Sequence, residues 1–409
     1  MKFLFVHQNF PGQYRHLAAY LAANPQHQVV FITQRSEGEL PGVRKIVYRP
    51  HRARSHTVHH YLRETESAVI NAQSIARIAL DLKRTGFVPD VMLGHNGWGE
   101  IWYLKEVFPD SPLLGYFEFF YRLTGADVGF DPSEPVAFDD GPRLRTKNLG
   151  NYLALDTVDA GLCPTQWQKS GYPSGYQDKL NVVHDGIDTR IVYPKPDATL
   201  TLAQAGLSLS RGDEIVTYIA RNLEPYRGFP SFMRSLPAIL AARPHAQILI
   251  VGGDEVSYGK RLPPGQTYRQ QLLAELGDEL DSRRVHFLGK VAYPTFLTIL
   301  QLSRVHVYLT YPFVLSWSML EAMAAGCLLV ASNTAPVKEV VRDGENGWLV
   351  DFFSPSEIAD QVIEGLKAGP QGFAALRRNA RQTVIDRYDL NAVCLPAQIE
   401  LLEHLRQRG

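Results

Sequence analysis

Tyr311-Pro-Phe-Val-Leu-Ser-Trp-Ser-Met-Leu-Glu-Ala-Met-Ala-Ala-Gly326 follows the apolar run Val305-His-Val-Tyr-Leu-Thr310. The run reads as a strand, followed by a turn and then by a helix that begins near Ser316. Glu321 stands in that helix among Met319, Leu320, Ala322 and Met323. An ionised carboxylate in an apolar run is costly unless paired or hydrogen-bonded, while the helix start beside it is a ready anion site. One element therefore offers amides near Leu315 and Ser316 for a diphosphate and a carboxylate at Glu321 for a ribose diol. That combination suits a nucleotide sugar. The plainer reading is a buried Glu satisfied by backbone.

Outward from this stretch, short apolar runs alternate with helical patterns along the chain, the signature of parallel sheets covered by crossover helices. Strands are expected at Lys2 to Val6, Gln28 to Thr33, Lys45 to Tyr48, Val91 to Leu93, Leu113 to Phe117, Ala160 to Cys163 and Lys179 to Val183. After Pro194-Lys-Pro196, which suits a linker, a second series begins with Glu214 to Ile219, Gln247 to Val251, Val285 to Leu288 and Leu328 to Ala331. The expected fold is α/β, two facing Rossmann-like domains. Their bounds are set at 1–187 and 188–375, with a helical segment, 376–409, packing on the first. Ligands in such sheets bind at the carboxyl ends of the strands.

Composition narrows the class. The 409 residues are 45% hydrophobic and 21% charged, with zero formal net charge, which describes an ordinary globular protein and argues against general nucleic-acid affinity. Cys163, Cys327 and Cys394 have no metal-ligand spacing and read as reduced core thiols. Neither a signal segment nor an apolar run of the ~20 residues that a membrane helix needs is apparent, so a cytoplasmic location is expected. Arg49 to Arg63 concentrates four arginines and four histidines. That segment is a candidate for an anionic acceptor or for peripheral contact with the inner face of a membrane. The acidic loop from Gly125 to Gly141 is long enough to serve as a lid or acceptor-binding segment.

Several strand ends carry chemistry. Arg221 and Arg227, in Arg221-Asn-Leu-Glu-Pro-Tyr-Arg227-Gly228, are placed to meet a diphosphate as fixed donors. Gly252 and Gly253 permit close backbone approach, and Gly12 places amides at a helix start. His95 lies in Gly94-His-Asn-Gly-Trp-Gly99, after a strand. Glu118, flanked by aromatics in Tyr116-Phe-Glu-Phe-Phe-Tyr-Arg122, either faces a sugar or pairs with Arg122.

In this order the motifs resemble those of the family 4 glycosyltransferases, retaining enzymes of the GT-B fold. The resemblance rests on Arg221 to Gly228, Val251-Gly-Gly-Asp254, Asp185-Gly-Ile-Asp188 with Tyr193-Pro194, the Glu321 helix, Ser332 to Glu339, and Asp343-Gly-Glu-Asn-Gly347. It implies a nucleotide-sugar donor in the C-terminal domain, an acceptor held mainly by the N-terminal domain, and a last helix that crosses back to the latter. It also implies retention at the anomeric carbon and a sugar-facing role for His95. The chain departs from the pattern at two points: the first βα loop has one glycine, Gly12, and the first of the family's paired glutamates is Phe313. The reading is sugar transfer to an acceptor hydroxyl. Arg221, Arg227, His95 and Glu118 serve catalysis, while Gly12, Gly252, Gly253, Leu315, Ser316 and Glu321 bind donor, with neither metal nor cofactor. The alternatives are a sugar-nucleotide epimerase and a non-catalytic sugar-nucleotide sensor.

Overall fold

Seven strands, β1 (Lys2–Val6), β2 (Gln28–Thr33), β3 (Val43–Val47), β4 (Val91–His95), β5 (Leu113–Tyr116), β6 (Ala160–Cys163) and β7 (Leu180–Val182), form a parallel sheet in the order β3-β2-β1-β4-β5-β6-β7. The computed structural model describes residues 1–408. Strand β1 shows why these runs are continuously apolar. Leu4 and Val6 enter one core with Ile75, Ala79 and Trp102, while Phe3 and Phe5 enter another with Tyr14, Leu17 and Leu21. Successive side chains point to opposite faces, and helices cover both, so neither face needs polar residues.

The second unit repeats the architecture. A small antiparallel pair, β8 (Thr199–Leu202) and β9 (Leu207–Ser210), precedes β10 (Ile215–Asn222), β11 (Gln247–Gly253), β12 (Val285–Gly289), β13 (Val305–Tyr308), β14 (Leu328–Ser332) and β15 (Trp348–Val350). The last six form a parallel sheet in the order β12-β11-β10-β13-β14-β15. Leu249, Met319, Leu320, Met323 and Val384 share one of its cores.

Residues 1–186 group with those from Asn391 onward, and Ile187–Leu390 form the other unit. Helix Ala374–Tyr388 therefore lies within the second unit, its Ala380 and Val384 in that unit's core, and not in a third segment starting at 376. The final helix, Leu395–Arg408, gives Leu402 and Leu405 to the core around Phe3 and Phe5. Among the described residues no helix is long and apolar enough to cross a membrane.

Candidate functional site

In each sheet the chain reverses its direction of growth once, between β1 and β4 in the first and between β10 and β13 in the second. At such a point neighbouring loops diverge and leave room for a ligand beside the carboxyl ends of the strands. Both groups of candidate residues fall there.

In the second unit, β10 ends at Asn222 and a 3-10 turn, Pro225–Arg227, follows. Gly228 then takes φ +69°, and a Cβ on it would lie 2.3 Å from that of Leu309. This crowding fixes Arg227 against the end of β13. Its Nη1 donates to Thr310 Oγ1 at 2.8 Å and to the carbonyl of Val314 at 2.9 Å. The loop before the Glu321 helix is thus tied to the basic turn. Arg227 is almost fully buried, with its guanidinium 5.5 Å from the Tyr258 ring centre. Arg221 is exposed and reaches the Tyr258 hydroxyl at 3.3 Å, so Tyr258 touches both arginines.

Ser316 caps helix Trp317–Ala324 by accepting from the Ser318 amide, and its own amide donates to the Tyr308 hydroxyl at 2.8 Å. The helix start is therefore held in place by the end of β13. Leu315 is buried in the core. Glu321 is half-buried and accepts from the Tyr293 hydroxyl at 2.8 Å. Burial pushes its carboxyl up to about 7, against which the Tyr293 bond pulls down. Gly252 and Gly253 are explained by local crowding, since a Cβ would sit 2.7 Å from Leu223 and 2.3 Å from Glu255 respectively.

Two features of this site escape a reading of motifs. The carboxylate of Glu224, fully buried, accepts from three consecutive amides, Ser257 at 3.1 Å, Tyr258 at 3.0 Å and Gly259 at 2.9 Å. It thereby fixes the loop that carries Tyr258. Phe313, at the position of the absent glutamate, packs against Tyr258 and Tyr226 with ring centres 4.9 Å and 5.6 Å away. Tyr226 in turn stacks on Tyr311. An aromatic wall thus stands beside Arg227.

In the first unit, His7 just beyond β1 and His95 at the end of β4 lie with ring centres 4.9 Å apart. Each Nδ1 accepts from an amide two residues on, that of Asn9 at 2.8 Å and that of Gly97 at 2.9 Å. In the neutral rings the proton therefore sits on Nε2. His7 Nε2 donates to Gln13 Oε1 at 2.6 Å, and Gln13 Nε2 donates to Glu118 Oε1 at 3.4 Å. His95 Nε2 lies 3.7 Å from Glu118 Oε2. Burial, followed by the nearby His95, lowers His7 to about 3, so it stays neutral. Glu118 is the outward member of the group, with its side chain 35% exposed against 2% for His95. Glu118 is placed with His95 and not with Arg122, whose Nη2 reaches the carbonyl of Gly125. Gly12 has φ +55°, and a Cβ there would meet His7 Nε2 at 2.7 Å. Its first demand is room for that ring.

The basic segment and the acidic loop meet each other: His60 and Tyr61 both contact Asp139. Arg52 pairs with Glu66. Among the described residues no three His, Cys, Asp or Glu side chains converge as metal ligands.

Comparisons with known proteins agree with this architecture. A family model described as "Glycosyl transferase family 4 group" matches residues 25–192, and one described as "Glycosyl transferases group 1" matches residues 213–368. Similar curated proteins include D-inositol 3-phosphate glycosyltransferases. That of Corynebacterium efficiens is 24% identical over 231 residues, 55% of this chain and 52% of the relative. That of Rhodococcus opacus is 28% identical over 252 residues, 60% of this chain and 53% of the relative. The chain thus spans about half the length of these relatives. Among solved structures, the sucrose-phosphate synthase of Thermosynechococcus elongatus superposes with a TM-score of 0.75 at 17% identity, covering 100% of both chains. Anabaena HepE, solved with UDP-glucose, gives 0.68 at 16% identity, covering 100% of this chain and 99% of its own. Both share the fold of two Rossmann-like α/β units. Two family models that together match most of the sequence, in the order in which the structure folds it, place this chain in the family 4 glycosyltransferases.

Proposed function

We propose that the chain transfers a sugar from a nucleoside-diphosphate sugar to an acceptor hydroxyl, with retention at the anomeric carbon and with arginines in place of a metal. The observation that carries the reading is the junction at the end of β10 and β13. There Arg227 is bonded to Thr310 and Val314, Arg221 is linked to it through Tyr258, and the capped helix start at Ser316 follows two residues after Val314. Fixed guanidinium groups and a helix start are suited to charge that develops on a departing diphosphate. In the step itself the bond from the anomeric carbon to the diphosphate oxygen breaks with its electron pair on that oxygen. The acceptor oxygen bonds on the same face, and its proton passes to the departing phosphate. Glu321 receives the ribose diol. His95 and Glu118, one imidazole N–H and one part-exposed carboxylate in the first unit, are assigned to the acceptor or the sugar.

HepE, of the same fold, has been solved with UDP-glucose, which makes that compound the first donor to test. The relatives' name makes D-inositol 3-phosphate the first acceptor. Transfer is to be followed by product analysis with and without EDTA. We expect product in both, and a fall of about tenfold to a hundredfold in UDP affinity for Arg227→Ala, the scale of a lost charged hydrogen bond of ~1.5–3 kcal/mol. Activity abolished by EDTA and restored by magnesium would overturn the metal-free reading. Normal UDP affinity in a folded Arg227→Ala variant would overturn the site.

A further inference from the structure

A second group of arginines in this unit lies at the other end of its sheet, where the strands begin. Arg211 sits between β9 and β10, and Arg377, Arg378 and Arg381 project from helix Ala374–Tyr388. The four arginines and Gln371 line an open cavity of about 220 Å³. No carboxylate lines it, and among the described residues none of the four arginines forms an ion pair. Asp389 acts on Arg381, but its carboxylate accepts from Thr189 Oγ1 at 2.5 Å and is not part of the wall.

Two of the guanidinium groups are fixed by neutral partners. Arg377, 9% exposed, donates to the carbonyls of Gly372, Gly326 and Arg304 at 3.1, 3.2 and 2.8 Å. Arg381 donates to the carbonyls of Val192, Ala324 and Thr189. Carbonyls orient a guanidinium without cancelling its charge. Burial, and after it the neighbouring Arg211 and Arg304, lower Arg377 to about 10. Arg211 and Arg378 make no side-chain hydrogen bond among the described residues, so their donors are available. Like charges gathered around a concave wall focus a positive potential, and guanidinium forks match phosphate oxygens in pairs.

We propose that this cavity binds a phosphate group, at a site separate from the donor-binding residues at the carboxyl ends of the same strands. Arg377 and Arg381 form its fixed floor, and Arg211 and Arg378 close on the anion. The site does not depend on the transferase reading.

The test is calorimetric titration of the full chain with inorganic phosphate, against sodium chloride at matched ionic strength. Saturable binding of one phosphate is expected. The variant Arg378→Gln should weaken it several-fold, and Arg211→Gln with Arg378→Gln at least tenfold. Because neither side chain supports the fold through a bond, the melting temperature of the double variant in chloride should match that of the wild type, which separates lost binding from lost structure. Co-sedimentation with vesicles containing phosphatidic acid distinguishes the source of the phosphate. Loss of free-phosphate binding alone assigns a soluble ligand, and loss of both assigns a lipid headgroup. Failure of the wild type to bind phosphate, or equal binding by the folded double variant, overturns the proposal.

Discussion

Glu321 and Glu100 show how burial gives two carboxyls of the same chain different consequences. Each is raised to about 7, chiefly by loss of water. Glu321 is half-buried, with Tyr293 as its partner, and belongs to the proposed donor site. Only its carboxylate form accepts fully from a ribose diol, so nucleotide binding draws its folded pKa down and affinity rises as pH passes through about 7. UDP titrations between pH 6 and pH 8, a range chosen to bracket that value, should show this rise in the wild type. They should show a flat profile in Glu321→Gln; a wild type with a flat profile would remove Glu321 from the diol. Glu100 lies elsewhere, fully buried, with Oε1 accepting from Tyr48 and no hydrogen-bond partner for Oε2 among the described residues. Its folded pKa lies above the ordinary value of 4.5. The native state therefore binds the extra proton, and stability falls as pH rises from about 4.5 to about 7. At about 1.4 kcal/mol per unit, the penalty at pH 8 is on the order of 3 kcal/mol. Glu100→Gln should thus melt several degrees above the wild type at pH 8 and close to it at pH 4.5. An equal difference at both would show that Glu100 is ionised throughout or not at all.

At the scale of elements, the strands are legible because both faces of each sheet are covered, which makes the interiors of β1, β2, β10 and β11 largely apolar runs. The β8–β9 pair is not, since Thr199 to Ser210 alternates weakly and follows a proline-rich stretch that reads as linker. Motifs alone also single out Arg227, Ser316, Glu321, His95 and Glu118 as candidates. They do not point to His7 and Glu224, which matter through partners remote in sequence. A usable signal for His7 existed: a histidine at a strand end with a turn two residues on, the arrangement His95 and His184 also adopt with Gly97 and Gly186. Glu224 had none, because its three amide donors come from a loop more than thirty residues away. That loop gives a prediction. Glu224→Ala strands three amides, so the loop should loosen and trypsin should cut after Lys260 or Arg261 faster than in the wild type. UDP affinity should fall with it, because Tyr258 no longer meets Arg221 and Arg227. Glu224→Gln, which keeps an acceptor for part of the set, should lie between the two. Unchanged proteolysis in Glu224→Ala would mean that the loop is held by its other contacts.

Across the whole molecule, the two units are built from different kinds of sequence segment. The second, Ile187–Leu390, is one continuous stretch, whereas the first needs residues from Asn391 onward to complete its core. Leu402 and Leu405 are 4% and 5% exposed there, and Gln398 donates to the carbonyl of His184. Burying a leucine is worth ~1.5–3 kcal/mol, so the final helix contributes a sizeable share of a domain stability of ~5–15 kcal/mol. A chain ending at Leu390 should therefore melt in two steps by calorimetry, with the first unit lowered by ten degrees or more in order of magnitude and the second little changed. The fragment 187–390 should fold alone and keep the circular dichroism of an α/β protein. It should also keep UDP affinity near that of the whole chain, since Arg221, Arg227, Tyr258, Ser316, Glu321 and Tyr293 all lie inside it. Sugar transfer should be lost in that fragment, because His95 and Glu118 belong to the other unit. A folded fragment without UDP affinity would place nucleotide binding on residues of the first unit, and with it the work assigned to Arg227 and Glu321.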